Sequence, residues 1–219
     1  DLNKPTRTRS TLSDQERSLP RRLPTQRRSR ERVERMLSVA TTLISEKGID
    51  AVKMSEIASL ADVSIGSLYQ YFPEKAALVR TLAERYNAEG RACVEAELGT
   101  VNVDAALEPT LHRIVDGYYE MFMQLPAMRD IWRATQADKA LQEMDEADCE
   151  HHAMMLYRVL INLRPNADQT ELKTLASLVM QQIAAVVRHA ITLERTEGDA
   201  TIEMFKKMFI ANVFEVLEF

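Results

Sequence analysis

The sequence predicts an all-α protein, an amino-terminal three-helix unit containing a helix-turn-helix followed by a larger helical carboxy-terminal region. Three observations predict it. Apolar residues recur three and four positions apart in nearly every segment after residue 26, the period of a helix with one buried face. Only six Gly and seven Pro interrupt 219 residues. Eleven Met and few β-branched runs suit helices better than sheets. A 46% hydrophobic content is ample for a buried core. Cys93 and Cys149 lack metal-type spacing, which fits a reduced cytoplasmic compartment and no disulfide framework. With no apolar run of eighteen residues and no signal peptide, neither a membrane nor a secreted protein is expected.

Residues 1–26, rich in Arg, Ser, Thr and Pro, are expected to be a disordered basic tail, with Pro5, Pro20 and Pro24 breaking any helix. Residues 1 to 35 hold eleven Lys and Arg against five Asp and Glu, although the whole chain carries a net charge of −5. A basic end is thus joined to an acidic body, an asymmetry that suits phosphate binding at one end only. The next segment, up to about Lys47, places Val33, Leu37, Ala40, Leu43 and Ile44 at helical spacing, with Gly48 as its stop.

The stretch MSEIASLADVSIGSLYQYF, Met54 to Phe72, is the most informative. Ile57, Ala58 and Ala61 form one stripe, and the small Ala58 lets a second helix cross closely. Asp62 stands where the chain reverses and tolerates the left-handed conformation, Val63 plugs the corner, and Ser64 caps the second helix. Leu68 and Phe72 point inward, which leaves Gly66, Ser67, Tyr69, Gln70 and Tyr71 on or near the outer surface of a helix that fits a major groove. Ser55, Ile65, Gly66, Tyr69 and Gln70 are the candidates for base edges. Ser67, Tyr71 and the arginines opening the first helix, Arg27 and Arg28 among them, are the candidates for phosphate. With no arginine on the reading surface, groove shape is expected to add to specificity.

Residues 63 to 78, VSIGSLYQYFPEKAAL, with EIA at 56 to 58, closely resemble the DNA-binding domain of the tetracycline-repressor (TetR) family of bacterial transcription regulators. The likeness is specific over roughly Arg28 to Leu82; beyond it only length and helical layout match. It implies a phosphate contact for Lys75, and a helix over 75–98 that connects the DNA-binding domain at 27–74 to an effector-binding and dimerisation domain at 99–219. Rotation of that helix carries the ligand signal in the family. Lys53 departs from the family's usual Thr or Ser cap and places one more cation near the DNA.

In the carboxy-terminal region, Leu107, Leu111, Ile114, Tyr118, Phe122 and Leu125 give an amphipathic helix ending at Pro126. A shorter helix around Met128 to Gln136 and a longer one from about Lys139 to Leu163 follow. Two more are expected at about 168–195 and 200–218, separated by Glu197-Gly198-Asp199. His112, Tyr119, Phe122, Met123, Met128, Trp132, Arg133 and Gln136 mix aromatic, thioether and polar groups in the manner of a pocket between helices, and are the candidate effector contacts. Asp145, Asp148, Cys149, Glu150, His151 and His152 are read as an acidic helix surface rather than a metal site, since no second element supplies ligands. Without a Gly-rich phosphate loop, an HExxH pair or a nucleophile elbow, no enzyme, catalytic residue or cofactor is expected. The last two helices have wide apolar faces, Leu172, Leu175, Leu178, Val179, Ile183 and Val186 on one and Ile202, Phe205, Phe209, Ile210, Val213, Phe214 and Leu217 on the other. Their expected use is a homodimer interface. The resulting expectation is a repressor released from a palindromic DNA operator by a small-molecule effector. A helix-turn-helix protein whose second domain only dimerises remains the alternative.

Overall fold

The computed structural model describes residues 27–210. The expected tail over 1–26 and the apolar residues Val213, Phe214 and Leu217 lie outside them. The described residues form nine α-helices and one short 3-10 turn, with no strand. We number them α1 (Arg27–Ala51), α2 (Met54–Leu60), α3 (Ile65–Tyr71), α4 (Lys75–Leu98), α5 (Leu107–Gln124), α6 (Pro126–Thr135), α7 (Lys139–Leu163), α8 (Gln169–Ala190) and α9 (Arg195–Met208); the 3-10 turn, Asp104–Ala106, precedes α5. No described helix is long and apolar enough to cross a membrane.

The first three helices close around Met36, Leu37, Ala40 and Ile44 of α1, all buried. Gly48 has φ 77° and ψ 160°, which breaks the helical path of α1 before its last residues; a side chain is strained in that left-handed region. Ile57 and Ala58 of α2 meet Leu68 and Phe72 in one core. Asp62 has φ 54°, and the Val63 amide donates to the Ala58 carbonyl at 3.0 Å, so the corner is tight. The Ser64 hydroxyl accepts from the Ser67 amide at 3.1 Å and caps α3.

Helix α4 leaves this unit and packs against α5, α6 and α7; α7 lies along α8, and α9 covers α8 and α5. Two side chains tie the halves together. Ser45 of α1 accepts from the Ala127 amide at the start of α6, at 3.1 Å, which satisfies one of that helix's free donors. Asp138 caps α7 by accepting from the Leu141 amide at 3.0 Å, and also accepts from Arg80 of α4 at 3.0 Å.

One expected boundary is wrong. Glu197-Gly198-Asp199 does not separate the last two helices; Gly198 sits inside α9, and the break falls at 191–194. The glycine is there for closeness, because a Cβ would stand 2.8 Å from the Ala190 carbonyl oxygen and would strike the Tyr119 hydroxyl.

Burial alone would raise the Asp138 carboxyl, but the Leu141 amide and the Arg80 guanidinium outweigh it and hold the group below its ordinary value. Such a group adds stability above its unfolded-state pKa of about 3.9 and loses that contribution as pH falls through its lower folded value. Asp138→Ala is expected to lower the unfolding free energy at neutral pH by about 1–2 kcal/mol, the worth of a cap plus a partly screened ion pair. In urea titrations the difference from the parent should shrink below about pH 4.

Candidate nucleic-acid interface and ligand cavity

On α3, Ile65, Gly66, Tyr69 and Gln70 are exposed, and Ser67 is half-buried. Lys53 and Ser55, at the start of α2, are exposed as well. These residues form one surface at the second and third helices, small and hydrogen-bonding apart from Ile65 and the Tyr69 ring. Arg27 and Arg28 are exposed at the start of α1, where Arg27 pairs with Glu31 at 2.8 Å. Farther along α1, Arg32 donates to the Ser67 hydroxyl at 3.4 Å and Arg35 to the Ala61 carbonyl at 3.3 Å. The basic helix start therefore lies beside the reading helix, as a phosphate-facing cluster requires.

Two expected DNA contacts are placed differently. Tyr71 is not on the outer surface; it is 8% exposed, and its hydroxyl shares a 2.5 Å hydrogen bond with Ser29 of α1. Position 71 follows Leu68 by three residues, so it shares the buried face, and the aromatic ring fills the gap between α1 and α3. Lys75 donates to the carbonyls of Ile49, Asp50 and Val52 at 2.8, 3.1 and 3.2 Å. An ammonium has three N–H donors, so this lysine has none left for a phosphate while it closes the end of α1.

The carboxy-terminal helices enclose a cavity of about 550 Å³. Its apolar wall includes Tyr86, Phe122, Met128, Ile131, Met180 and Ile183, drawn from α4, α5, α6 and α8. Of the expected effector contacts, Phe122, Met128 and Trp132 line it. The other five do not. Tyr119 is buried on the far face of α5, with the Arg195 guanidinium 5.5 Å from its ring centre. His112 sits near Glu108 at 3.9 Å, and Met123 accepts from Arg129 at 2.7 Å. Arg133 and Gln136 are exposed, Arg133 beside Asp130 at 3.4 Å. All five follow the helical pattern of aromatic and polar residues, but only one face of α5 and of α6 looks inward.

The acidic surface expected on α7 is also divided. Glu150 and His151 face outward, whereas Asp145, Asp148, Cys149 and His152 line the cavity. Asp145 pairs with Arg188 of α8, and Asp148 with Arg91 of α4 at 2.5 Å. Burial lowers the His152 imidazole below its ordinary value, with Asp148 pulling the other way, so the ring is neutral at physiological pH. Burial raises the Tyr118 phenol and the Cys149 thiol. For Arg188, burial opposes the charge, but Tyr118 and Asp145 outweigh it and hold the guanidinium above its ordinary value. Among the described residues no group of three or more His, Cys, Asp or Glu is placed to hold a metal ion.

Comparison with known proteins matches residues 36–82 to the bacterial regulatory proteins of the tetR family, and residues 105–216 to the tetracyclin repressor-like carboxy-terminal domain. The chain belongs to the TetR family of transcriptional regulators. The transcriptional repressor KstR of Rhodococcus jostii is 42% identical over 66 residues, 28% of this chain and 31% of KstR. KstR of Mycolicibacterium smegmatis is 44% identical over 50 residues, 23% of this chain and 24% of its own length. The match thus spans less than a third of these curated relatives. A TetR-family regulator from Pectobacterium atrosepticum superposes with a TM-score of 0.66 at 21% identity, covering 89% of this chain and 96% of that one. FadR from Bacillus subtilis, solved in complex with stearoyl-CoA, gives 0.61 at 13% identity over 82% and 96% of the two chains. The SmeT–triclosan complex gives 0.60 at 16% identity over 79% and 88%. At these identities the likeness is one of fold.

Within this TetR-family chain, sequence reasoning missed Asn87, Gly90 and Cys93 of α4 and Asp145, Asp148 and Arg188 as cavity residues. Their polarity pointed outward, and only the pairing of α4, α7 and α8 turns them in. Two measurements test these placements. Lys75→Met is expected to lower the unfolding free energy by about 1–2 kcal/mol, measured in urea, because it strips three carbonyls of their donor. Gln70→Ala is expected to weaken a selected binding site about tenfold, the loss of one base contact, while preference over random DNA survives in competition assays.

Proposed function

We propose that this regulator is a homodimeric repressor that holds a palindromic operator and leaves it when a small molecule fills the cavity. One observation carries the reading. Helix α4 begins three residues after Phe72, and its first side chain closes the end of α1, while its residues from Ala83 to Glu97 wall the cavity. A molecule that wedges α4 from α5 or α7 therefore acts on the helix that carries the DNA-reading unit. Helix α6 makes a second link, since Met128, Ile131 and Trp132 line the cavity and the α6 start is bonded to Ser45 of α1. The coupling is a population shift, in which ligand favours the dimer whose reading helices are misplaced for DNA. That FadR and SmeT were solved with stearoyl-CoA and triclosan supports a small-molecule effector here.

The dimer surface is assigned to α8 and α9. Leu178, Met204 and Met208 are 48%, 56% and 68% exposed, on the outer faces of the last two helices. The other exposed large hydrophobics among the described residues are Leu60, Ile65 and Tyr69 of the reading unit and Val103 of a connecting loop. Pairing α8 and α9 with a partner's copies buries the first group and sets two reading helices about 34 Å apart, one turn of DNA. Residues 27–74 act as the DNA-binding domain, 75–98 as the connection and 99–219 as the effector and dimerisation domain, in a cytoplasmic protein whose chemistry is binding, not catalysis.

Selection of bound sites from a random DNA library is expected to return a pseudo-palindrome with half-sites one turn apart. Recovery of sequence-independent, steeply salt-sensitive binding alone would overturn the specific-regulator reading. Trp132 is the single tryptophan of the chain and lines the cavity, so an effector that releases the DNA is expected to change its fluorescence in the same concentration range. Leu178→Glu combined with Met204→Glu is expected to give a monomer in analytical ultracentrifugation and to abolish operator binding, with helical content kept.

A further inference from the structure

The charges around the cavity are closed in pairs. Each of its four wall carboxylates has an arginine of its own: Asp145 has Arg188, Asp148 has Arg91 at 2.5 Å, Glu97 has Arg113 at 2.7 Å, and Glu120 has Arg195 at 3.4 Å. Glu84 and Asp199, which also touch Arg91 and Arg195, do not line the wall and are about half exposed, so solvent screens them. The two inner pairs are shielded, with Asp148 only 13% exposed. His152 is neutral and the Tyr118 phenol is held protonated, so neither supplies a spare charge. A charged ligand would have to enter a mostly apolar site whose charges are already balanced, or break one pair and leave its partner unpaired, which is costly in either case.

The same wall has unanswered donors. The indole Nε1 of Trp132 and the Nε of Arg188 are shielded from solvent and have no hydrogen-bond partner. Both groups can only donate. A buried donor without an acceptor is destabilising, and a small rotation of either side chain into the cavity lets a ligand oxygen correct it.

From these observations we infer that the ligand is an electrically neutral, mostly apolar molecule bearing an acceptor oxygen, a ketone or hydroxyl, that is held near Trp132 and Arg188. Its apolar body lies against Phe122, Met128, Ile131, Met180 and Ile183. The inference rests on the cavity being the effector site and adds the ligand's charge and head-group chemistry to it.

Calorimetric titration of the full chain tests it with decanol, decyl methyl ketone, the alkene of the ketone's length, decanoate and decyltrimethylammonium, the two charged probes below their micellar range. The alcohol and the ketone are expected to bind, and the two charged probes roughly tenfold or more weaker. Trp132→Phe is expected to weaken the ketone by about fivefold, the worth of one hydrogen bond, and to weaken the alkene of equal length, which has no oxygen, much less. Decanoate or decyltrimethylammonium binding as tightly as the alcohol overturns the inference while leaving the effector site standing. Equal losses for ketone and alkene in Trp132→Phe overturn the acceptor role, because a packing change would act on both. Binding of none of the probes overturns the inference and the effector reading of the cavity together.

Discussion

One helix has to satisfy two cores at once. The 24 residues of α4 span about 36 Å, and the helix buries Ala77, Leu78, Val79 and Leu82 near the DNA-reading unit while Tyr86 faces the cavity. A straight helix moves as a rod, because its backbone hydrogen bonds are all internal and bending requires a proline, a bulge or an inserted group. Displacement at one end is therefore felt at the other. Arg80 and Arg91 tie the rod to α7 through Asp138 and Asp148, so the position of α4 is set by ion pairs as well as by apolar packing.

The DNA-reading unit is small, and its precision comes from how its few parts are fastened. Three carbonyls at the end of α1 converge on one ammonium, the Tyr71 hydroxyl reaches back to Ser29, and Arg35 meets the carbonyl of Ala61, the residue just after α2. These contacts use side chains that could otherwise have met phosphate. What is left outward on α3 is Ile65, Gly66, Tyr69 and Gln70, a surface with no charged side chain. Arg32, in the second turn of α1, donates to Ser67 of α3, which puts the basic end of α1 on the same side as that surface.

The cavity shows the opposite economy, with polar groups turned inward. Five helices, α4 to α8, supply apolar walls, and the carboxylates of α7 are matched by arginines of α4 and α8. A site built this way is mostly apolar and its charges are closed in pairs, which explains how an acidic run such as Asp145 to His152 can stand partly inside a helical bundle.

Much of this was legible in the sequence for a simple reason: helix existence, the turn at Asp62, the Ser64 cap and the stop at Gly48 are local events, decided by periodicity and by the backbone preferences of single residues. The all-α class and the helix-turn-helix followed from that alone, as did Leu68 and Phe72 as its core. Direction around each helix was not local. Tyr71 against Ser29, Lys75 on the α1 carbonyls, Tyr119 under Gly198 and Asp148 beside Arg91 join residues tens of positions apart, and which of two faces a polar or aromatic residue takes depends on the helix that happens to lie there. So the sequence by itself determined the helices and the kind of surface presented to DNA. Only the tertiary structure decided which side chains wall the cavity and which lysine is a fastening, because burial and pairing exist only once distant helices meet.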